Sequence, residues 1–288
     1  MRFGLIVNPA AGPTNVSRKR RTLRAVQEIL GDCEMQGLDT QSREEFMACM
    51  TELARRVEIL IVGGGDGTFS DAINALDSQT VFSFLPFGSG CALQYALGLP
   101  PQLTRVAKRI REGQLHYFDL ILCDNQRKAF MASVGLEADI LYRRESLREN
   151  GVAGPQAYAM ATFGSFFADL ERTDMTIQID GEPLSVPKAV TAIVTKIPYY
   201  GYKMKVVPNA VFDDGHLHLL AVNSGWAELV GTLASAFLNE NKLGIYRQAS
   251  EIQVITQHQR YAQVDGNIYR QGTSFDFKIL PQALHMWY

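Results

Sequence analysis

Two glycine-rich segments carry residue types suited to phosphate chemistry, and the first also contains a carboxylate. Residues 63–68 read GGGDGT after the apolar run Ile59–Val62, and residues 86–93 read PFGSGCAL after the apolar run Val81–Leu85. Glycines let a backbone approach a ligand closely, and N–H groups at a helix start can face an anion. Asp66 would repel a bound phosphate unless it holds Mg²⁺ or takes a proton, so the first segment indicates phosphoryl chemistry. A tight strand-to-helix turn with no ligand is the alternative.

Neither of the two common nucleotide-binding fingerprints is present. No Gly-x-x-x-x-Gly-Lys-Ser/Thr occurs, which excludes a lysine-based phosphate cradle, and Thr68 stands where Gly-x-Gly-x-x-Gly needs its third glycine. Both glycine segments instead follow predicted strands, and open α/β sheets bind ligands at the carboxyl ends of their strands. We therefore predict that the two segments lie side by side.

Three further segments give weaker signals. Residues 7–12 (VNPAAG) place Asn8 after the first predicted strand, where it could hold the backbone or a nucleotide base, or form an ordinary turn. Residues 208–219 (PNAVFDDGHLHL) put two carboxylates at a turn that could bind a hard cation together with backbone carbonyls, or could be a solvated hairpin. His216 and His218 share a strand face but have no third ligand spaced for zinc. Asp265, in VDGN, indicates only a turn.

Composition excludes several classes of protein. The 288 residues are 47% hydrophobic and 20% charged, which is typical of one or two folded domains. The formal net charge of -2 gives no general attraction to nucleic acid. The four cysteines lie far apart without a Cys-x-x-Cys, which favours reduced thiols in a cytoplasmic protein. The longest charge-free stretch, 78–104, is interrupted by glycines and prolines, so we expect any membrane contact to be peripheral.

The pattern of apolar runs divides the chain into two halves. In the first, short apolar runs alternate with helical periodicity, which predicts a mostly parallel sheet covered on both faces. After about residue 115, short strands separated by Asp-Gly and Asp-Asn turns predict a mainly antiparallel β-sandwich-like domain, with two helical stretches near 156–169 and 227–238. We expect an α/β domain over 1–122 and a β-rich domain over 123–288, and the C-terminal end could return to the first.

Taken together, the segments resemble the diacylglycerol kinase catalytic family, which includes sphingosine kinases and bacterial lipid kinases. The resemblance covers nearly the whole chain and rests on residues 7–12, 64–68, 86–93, 130–138 (FMASVGLEA), 208–219 and 265–266. It implies an ATP- and Mg²⁺-dependent lipid kinase with a nucleotide-binding α/β domain, a lipid-binding β domain and a site in the cleft between them. The expected acceptor is a hydroxyl of a diacylglycerol-like or sphingoid lipid.

The resemblance also implies roles for particular residues. Asp66 would manage metal or proton with Asp265 assisting, and Asp214 with carbonyls near Val211 and His216 would correspond to a structural magnesium site. The nucleotide would be contacted by the remaining residues: Asn8, Thr40, Gly64, Gly65, Gly67, Thr68, Ser70, Gly88, Ser89 and Gly90.

Two departures from the family pattern keep other functions open. Asn267 stands where the family has a glutamate that is the proposed proton acceptor, and an amide cannot accept that proton. Cys91 replaces an asparagine after Gly-Ser-Gly. These departures motivate the alternative of a catalytically silent lipid- or nucleotide-binding regulator. A kinase of a soluble acceptor such as NAD is a further alternative, because NAD kinase shares the Gly-Gly-Asp-Gly-Thr loop.

A basic run over residues 18–24 is the remaining surface feature. It contains Arg18, Lys19, Arg20, Arg21 and Arg24, which could meet anionic lipid headgroups at a membrane or could form the solvated face of a helix. The expected partner is thus a lipid at a membrane surface, and a homo-oligomer is left open.

Overall fold

The structure, a computed structural model, describes residues 1–12, 15–87, 90–150, 172–223, 241 and 243–288. The chain divides into two compact units. The first unit contains residues 1–119, 199–203 and 281–288, and the second contains 120–198 and 204–280. The boundary predicted between residues 122 and 123 stays a prediction. The two helical stretches predicted near 156–169 and 227–238 lie outside the described residues.

The first unit alternates strands and helices. Its elements are β1 (Phe3–Val7), α1 (Val16–Leu30), β2 (Cys33–Gln36), α2 (Arg43–Ala54), β3 (Ile59–Gly64), α3 (Asp66–Ala75), β4 (Val81–Pro86), α4 (Ala92–Ala96) and α5 (Leu103–Arg111). Strands β1 and β3 are buried along their whole length because they carry the apolar runs. The strands pair in parallel in the order β2-β1-β3-β4.

This strand order explains where the helices lie. The chain moves from β1 outward to β2 and then returns past β1 to β3, so right-handed crossovers place α1 on one face and α2 and α3 on the other. The contacts agree, since α1 packs on α5 and α2 packs on α3. The strand order reverses between β1 and β3, which is the topological switch point at which such sheets bind ligands.

The second unit is mainly antiparallel. Its elements are β5 (Leu115–Cys123, beginning in the first unit), β6 (Arg127–Ala129), β7 (Met131–Gly135), α6 (Leu136–Glu149), β8 (Thr173–Ile179), β9 (Glu182–Ala189), β10 (Thr191–Thr195), β11 (Leu217–Val222), β12 (Ile245–Ala249), β13 (Glu251–Val264) and β14 (Asn267–Trp287). The last residues of β14 belong to the first unit, where His285 pairs with Val81 of β4 in parallel.

Strand β13 organises the second unit because it changes partners along its length. Its first half pairs with β8 and its second half with β7, on either side of an irregularity between Ile255 and Arg260. Strands that change partners in this way are typical of sandwich corners. The apolar core of the unit draws on β7, β8, β10, β11 and β13.

Several elements differ from the prediction. The sequence predicts a helix over 70–76, but α3 begins at Asp66. It also predicts separate strands over 251–256 and 260–264, which form the single strand β13. Strands β2, β9 and β12 and helix α6 were not predicted. These three strands are short or rich in polar and charged residues, so alternation alone does not distinguish them from turns.

Candidate functional site

Three turns meet at the carboxyl ends of β1, β3 and β4. Val7 is paired with Gly63 and Gly64 with Pro86, so each turn starts at the same edge of the sheet. The backbone N–H of Asn8 donates to the Gly63 carbonyl at 2.9 Å, and that of Phe87 donates to the Gly64 carbonyl at 2.9 Å. The prediction that the two glycine segments lie side by side is thereby confirmed.

The glycines among residues 63–67 let other atoms come close to the backbone; they are not needed for a left-handed backbone conformation. Positive φ occurs at Gly12 (71°) but at none of these five residues. A Cβ on Gly64 would lie 2.5 Å from the Thr68 Cβ, whereas a Cβ on Gly65 would meet nothing within 4 Å. Gly65 directly precedes α3, whose first N–H groups have no partner within the helix. The open space at Gly65 is therefore the place where this turn could receive an anion.

The carboxylate of Asp66 joins the two glycine segments. Its Oδ2 accepts the backbone N–H of Ala92 at 2.8 Å, and its Oδ1 accepts that of Leu93 at 3.1 Å. Removal from water raises the pKa of Asp66 to about 6, against the lowering effect of these two hydrogen bonds. Asp66 thus sets the start of α4 and keeps a pKa near the range in which a carboxylate can exchange a proton at neutral pH.

Asn8 fixes the first turn. Its Oδ1 accepts the backbone N–H of Ala10 at 2.9 Å, and its Nδ2 donates to the Thr68 Oγ1 at 2.9 Å. The Thr40 hydroxyl donates to the Gly37 carbonyl at 2.7 Å. Asn8 and Thr68 are therefore in contact, while the contacts of Asn8, Thr40 and Thr68 with a nucleotide stay a prediction.

Three of the predicted nucleotide contacts need correction or lie outside the described residues. Ser70 is 0% exposed inside α3, so its side chain does not fit direct contact with a ligand. Gly88 and Ser89 lie outside the described residues. Gly90 is described, and a Cβ there would come within 3.1 Å of the Tyr202 ring.

The turn Gly201–Lys203 was not anticipated at this site. It belongs to the first unit, and a Cβ on Gly201 would lie 2.8 Å from the Gly90 carbonyl. Tyr202 and Lys203 both have positive φ, at 58° and 66°, which is uncommon for residues with side chains. The contact joins residues more than a hundred positions apart, and no local pattern in the sequence marks it.

Lys19 was also misinterpreted. In the basic run it was grouped with the arginines, but its side chain is 1% exposed and its ammonium donates to the Pro9 carbonyl in the first turn. Burial lowers the pKa of Lys19. The exposed members of the run are Arg18, Arg21 and Arg24. Their contact with lipid headgroups stays a prediction.

Asp265, in the second unit, is buried among backbone amides. Its Oδ1 accepts the N–H groups of Phe130 at 3.1 Å and Met131 at 2.9 Å, and its own N–H donates to the Met131 carbonyl at 2.9 Å. The side chain is 1% exposed and φ is 49°, a conformation that aspartate tolerates better than most residues. These bonds hold the start of β7, and a part in proton transfer stays a prediction.

Replacing Asp265 tests its structural role. Asp265→Ala leaves two buried N–H groups without their acceptor, and we expect it to lower the free energy of unfolding by about 2–4 kcal/mol. Asp265→Asn keeps an oxygen acceptor and should lose less. Urea unfolding measures both, with the exposed turn residue Asp213→Ala as control. Equal loss in Asp265→Ala and Asp213→Ala would contradict the structural role.

Two of the three predicted magnesium ligands, Asp214 and His216, contact the ammonium group of Lys196. The Lys196 Nζ donates to the Asp214 Oδ1 at 2.7 Å and to the His216 carbonyl at 2.6 Å. Burial alone would raise the pKa of Asp214, but the hydrogen bonds from Lys196 and the His216 N–H, with the charge of Lys196, lower it. Val211 turns its N–H toward the His218 Nε2 at 3.3 Å. This arrangement does not fit the predicted divalent cation.

The described residues contain no group of three or more His, Cys, Asp or Glu side chains arranged to hold a metal ion. None of the helices within the described ranges is long and apolar enough to cross a membrane.

Two family models together match most of the chain. Residues 2–123 match the family model of the diacylglycerol kinase catalytic domain, and residues 131–288 match that of the YegS C-terminal NAD kinase beta sandwich-like domain. A diacylglycerol kinase from Staphylococcus saprophyticus is 26% identical over 92% of this chain and 88% of its own. An uncharacterised protein from Synechocystis is 25% identical over 98% of this chain and 69% of its own.

Solved structures show the same fold. The crystal structure of a diacylglycerol kinase from Bacillus anthracis aligns with a TM-score of 0.76 at 21% identity, over 100% of this chain and 96% of that one. An NAD kinase from Archaeoglobus fulgidus aligns more distantly, with a TM-score of 0.50 at 12% identity. The two family models cover nearly the whole sequence, and the chain therefore belongs to the diacylglycerol kinase catalytic family of phosphotransferases.

Proposed function

We propose that this chain is an ATP- and Mg²⁺-dependent lipid kinase that transfers the γ-phosphate to a hydroxyl of a diacylglycerol-like or sphingoid lipid. The observation that carries the proposal is the tie between Asp66 and the N–H groups of Ala92 and Leu93. It holds together the glycine turns that follow β3 and β4, next to the switch point between β1 and β3 and beside open space at Gly65. Family membership supports the reaction class.

The nucleotide phosphates would lie against Gly65 and the first N–H groups of α3. Phosphoryl transfer depends mainly on positioning and neutralisation of charge, which backbone N–H groups at a helix start supply. Mg²⁺ would enter with the nucleotide and neutralise phosphate charge. Asn8 and Thr68, linked at 2.9 Å, would fix the distance between the first turn and the glycine turn.

Asp66 is our candidate for the proton acceptor. A lipid hydroxyl loses its proton during transfer, and a carboxylate with a pKa of about 6 can take that proton near neutral pH. Asp265 would assist by keeping β7 in place, since its side chain is 1% exposed and accepts the N–H groups of Phe130 and Met131 at the start of that strand. The lipid would be met at a membrane surface, with the exposed arginines of α1 as candidates for headgroup contact.

The direct test is incubation of purified protein with labelled ATP, Mg²⁺ and separate acceptors. The panel contains diacylglycerol, sphingosine and NAD, and products are separated by mass spectrometry. We expect a phosphorylated lipid and no phosphorylated NAD. Label in NAD alone would support the soluble-acceptor alternative, and label in neither would contradict the proposal.

A catalytically silent binding protein is the second candidate. Asn267 is exposed at the start of β14 and presents an amide, which cannot take a proton. This candidate predicts binding of ATP and lipid without product under any metal condition. Appearance of activity only in Asn267→Glu would favour it over the kinase.

A further inference from the structure

The ammonium of Lys196 lies where a bound cation would otherwise be expected. Its side chain is 0% exposed, and its Nζ is 2.7 Å from the Asp214 Oδ1 and 2.6 Å from the His216 carbonyl oxygen. A carboxylate and a backbone carbonyl converging on one point are the ligands that hard divalent cations take. Calcium would stand about 2.3–2.6 Å from such oxygens, so it would compete for the position of the ammonium.

This ammonium joins two parts of the second unit. Lys196 directly follows β10, while Asp214 and His216 lie in the turn that enters β11. The two strands are antiparallel, with Thr195 opposite His218, so the bonds of Lys196 close the end of that pair. The backbone N–H of Lys196 also donates to the Phe130 carbonyl at 2.8 Å, which fixes the residue from its other side.

The surrounding polar groups complete a network around Asp214. The Asp214 Oδ2 lies 3.1 Å from the His218 Nε2 and accepts the Gln248 amide at 3.4 Å. The His218 Nδ1 lies 2.7 Å from the Tyr246 hydroxyl on β12. The carboxylate therefore has partners on both oxygens, and the ammonium has a full negative charge and a carbonyl dipole beside it.

We infer that Lys196 is a built-in cation that closes the connection between β10 and β11, so that the second unit needs no bound divalent metal at Asp214. A buried ammonium loses much of its hydration, and only a geometry that returns charge and hydrogen bonds makes such burial stable. Both are present here at short distances. Removing one partner of a buried pair leaves the other charge uncompensated, which is strongly destabilising.

Thermal unfolding without nucleotide tests this inference in the unmodified protein. We expect the Tm to change by less than about 1 °C between EDTA, millimolar MgCl₂ and millimolar CaCl₂, because a cation that finds no site adds no stability. A Tm that falls in EDTA and recovers with MgCl₂ or CaCl₂ would overturn the inference. The result is independent of catalysis, so failure of the proposed kinase activity would not decide it.

Variants at Lys196 test whether its ammonium stabilises the protein. Lys196→Met should lower the Tm by roughly 5–15 °C. Lys278→Met, which removes a surface ammonium 3.1 Å from Glu251, should lower it by only about 0–3 °C. Lys196→Ala leaves the oxygens of Asp214 and His216 facing a space, and its Tm should rise with CaCl₂ or MgCl₂.

The double variant Lys196→Met with Asp214→Asn covers the case in which single variants fail to fold. It removes both charges together, so it should be more stable than Lys196→Met alone. Equal Tm values for Lys196→Met and Lys278→Met, or no gain from the second substitution, would overturn the inference.

Discussion

Asp66→Asn should lower turnover by at least about 100-fold while the protein remains folded, since general acid–base contributions are typically of that size or larger. The amide cannot accept a proton. In the unmodified protein the carboxylate accepts the backbone N–H groups of Ala92 and Leu93. The asparagine amide would instead place its NH₂ group against one of these two N–H groups. Both the proton acceptor and the positioning of the second glycine segment are therefore affected. Steady-state kinetics with the preferred lipid measures the loss.

A neighbouring aspartate supplies the control. Asp71 lies on the same helix, and its carboxylate pairs with Arg43 at 2.9 Å on the surface. Asp71→Asn removes one carboxylate charge from α3 without touching the glycine turns, so we expect its turnover to stay within about 3-fold of the unmodified protein. Circular dichroism should show native helix content in both variants. Turnover of Asp66→Asn close to that of Asp71→Asn would remove Asp66 from the mechanism.

Gly65→Ala should weaken ATP binding by about 10-fold or more without loss of stability. The backbone of Gly65, at φ -101° and ψ -176°, is one that alanine adopts freely, and the added methyl would meet no protein atom within 4 Å. The methyl would instead fill the space that we assign to a phosphate. Calorimetric titration with a non-hydrolysable ATP analogue and Mg²⁺ measures the Kd, and thermal unfolding measures the Tm.

At Gly64, one position earlier, the same substitution should lower stability. A Cβ on Gly64 would lie 2.5 Å from the Thr68 Cβ, which is held stiffly within α3. We therefore expect Gly64→Ala to cost about 1–3 kcal/mol in the free energy of unfolding. If Gly65→Ala bound the analogue as tightly as the unmodified protein, the open space beside Gly65 would not be a phosphate site.

The sequence predicted the first unit well because its signals are local. Buried parallel strands appear as continuous apolar runs, and both glycine segments stand directly after such runs, which places them at one edge of the sheet. Apolar residues recur at helical spacing over 16–30 and predict a helix there, and α1 spans Val16–Leu30. Helix α3 was predicted four residues too late because Asp66, Gly67 and Thr68 were assigned to the loop.

The parts that escaped prediction depend on distant contacts. Lys19 stands among four arginines, and only the fold shows that its ammonium turns inward to the Pro9 carbonyl. Lys196 follows a strand that gives no sign of a buried charge, yet it takes the cation position expected for a metal. Periodicity describes which face of an element is apolar, whereas these contacts depend on which elements meet.

A crystal structure of the protein with a non-hydrolysable ATP analogue and Mg²⁺ tests the central claim most directly. We predict that the triphosphate lies against Gly65 and the first N–H groups of α3, with Asp66 still bound to the start of α4. A triphosphate bound elsewhere, with the space beside Gly65 unfilled, would contradict the assignment of this turn and the mechanism built on it.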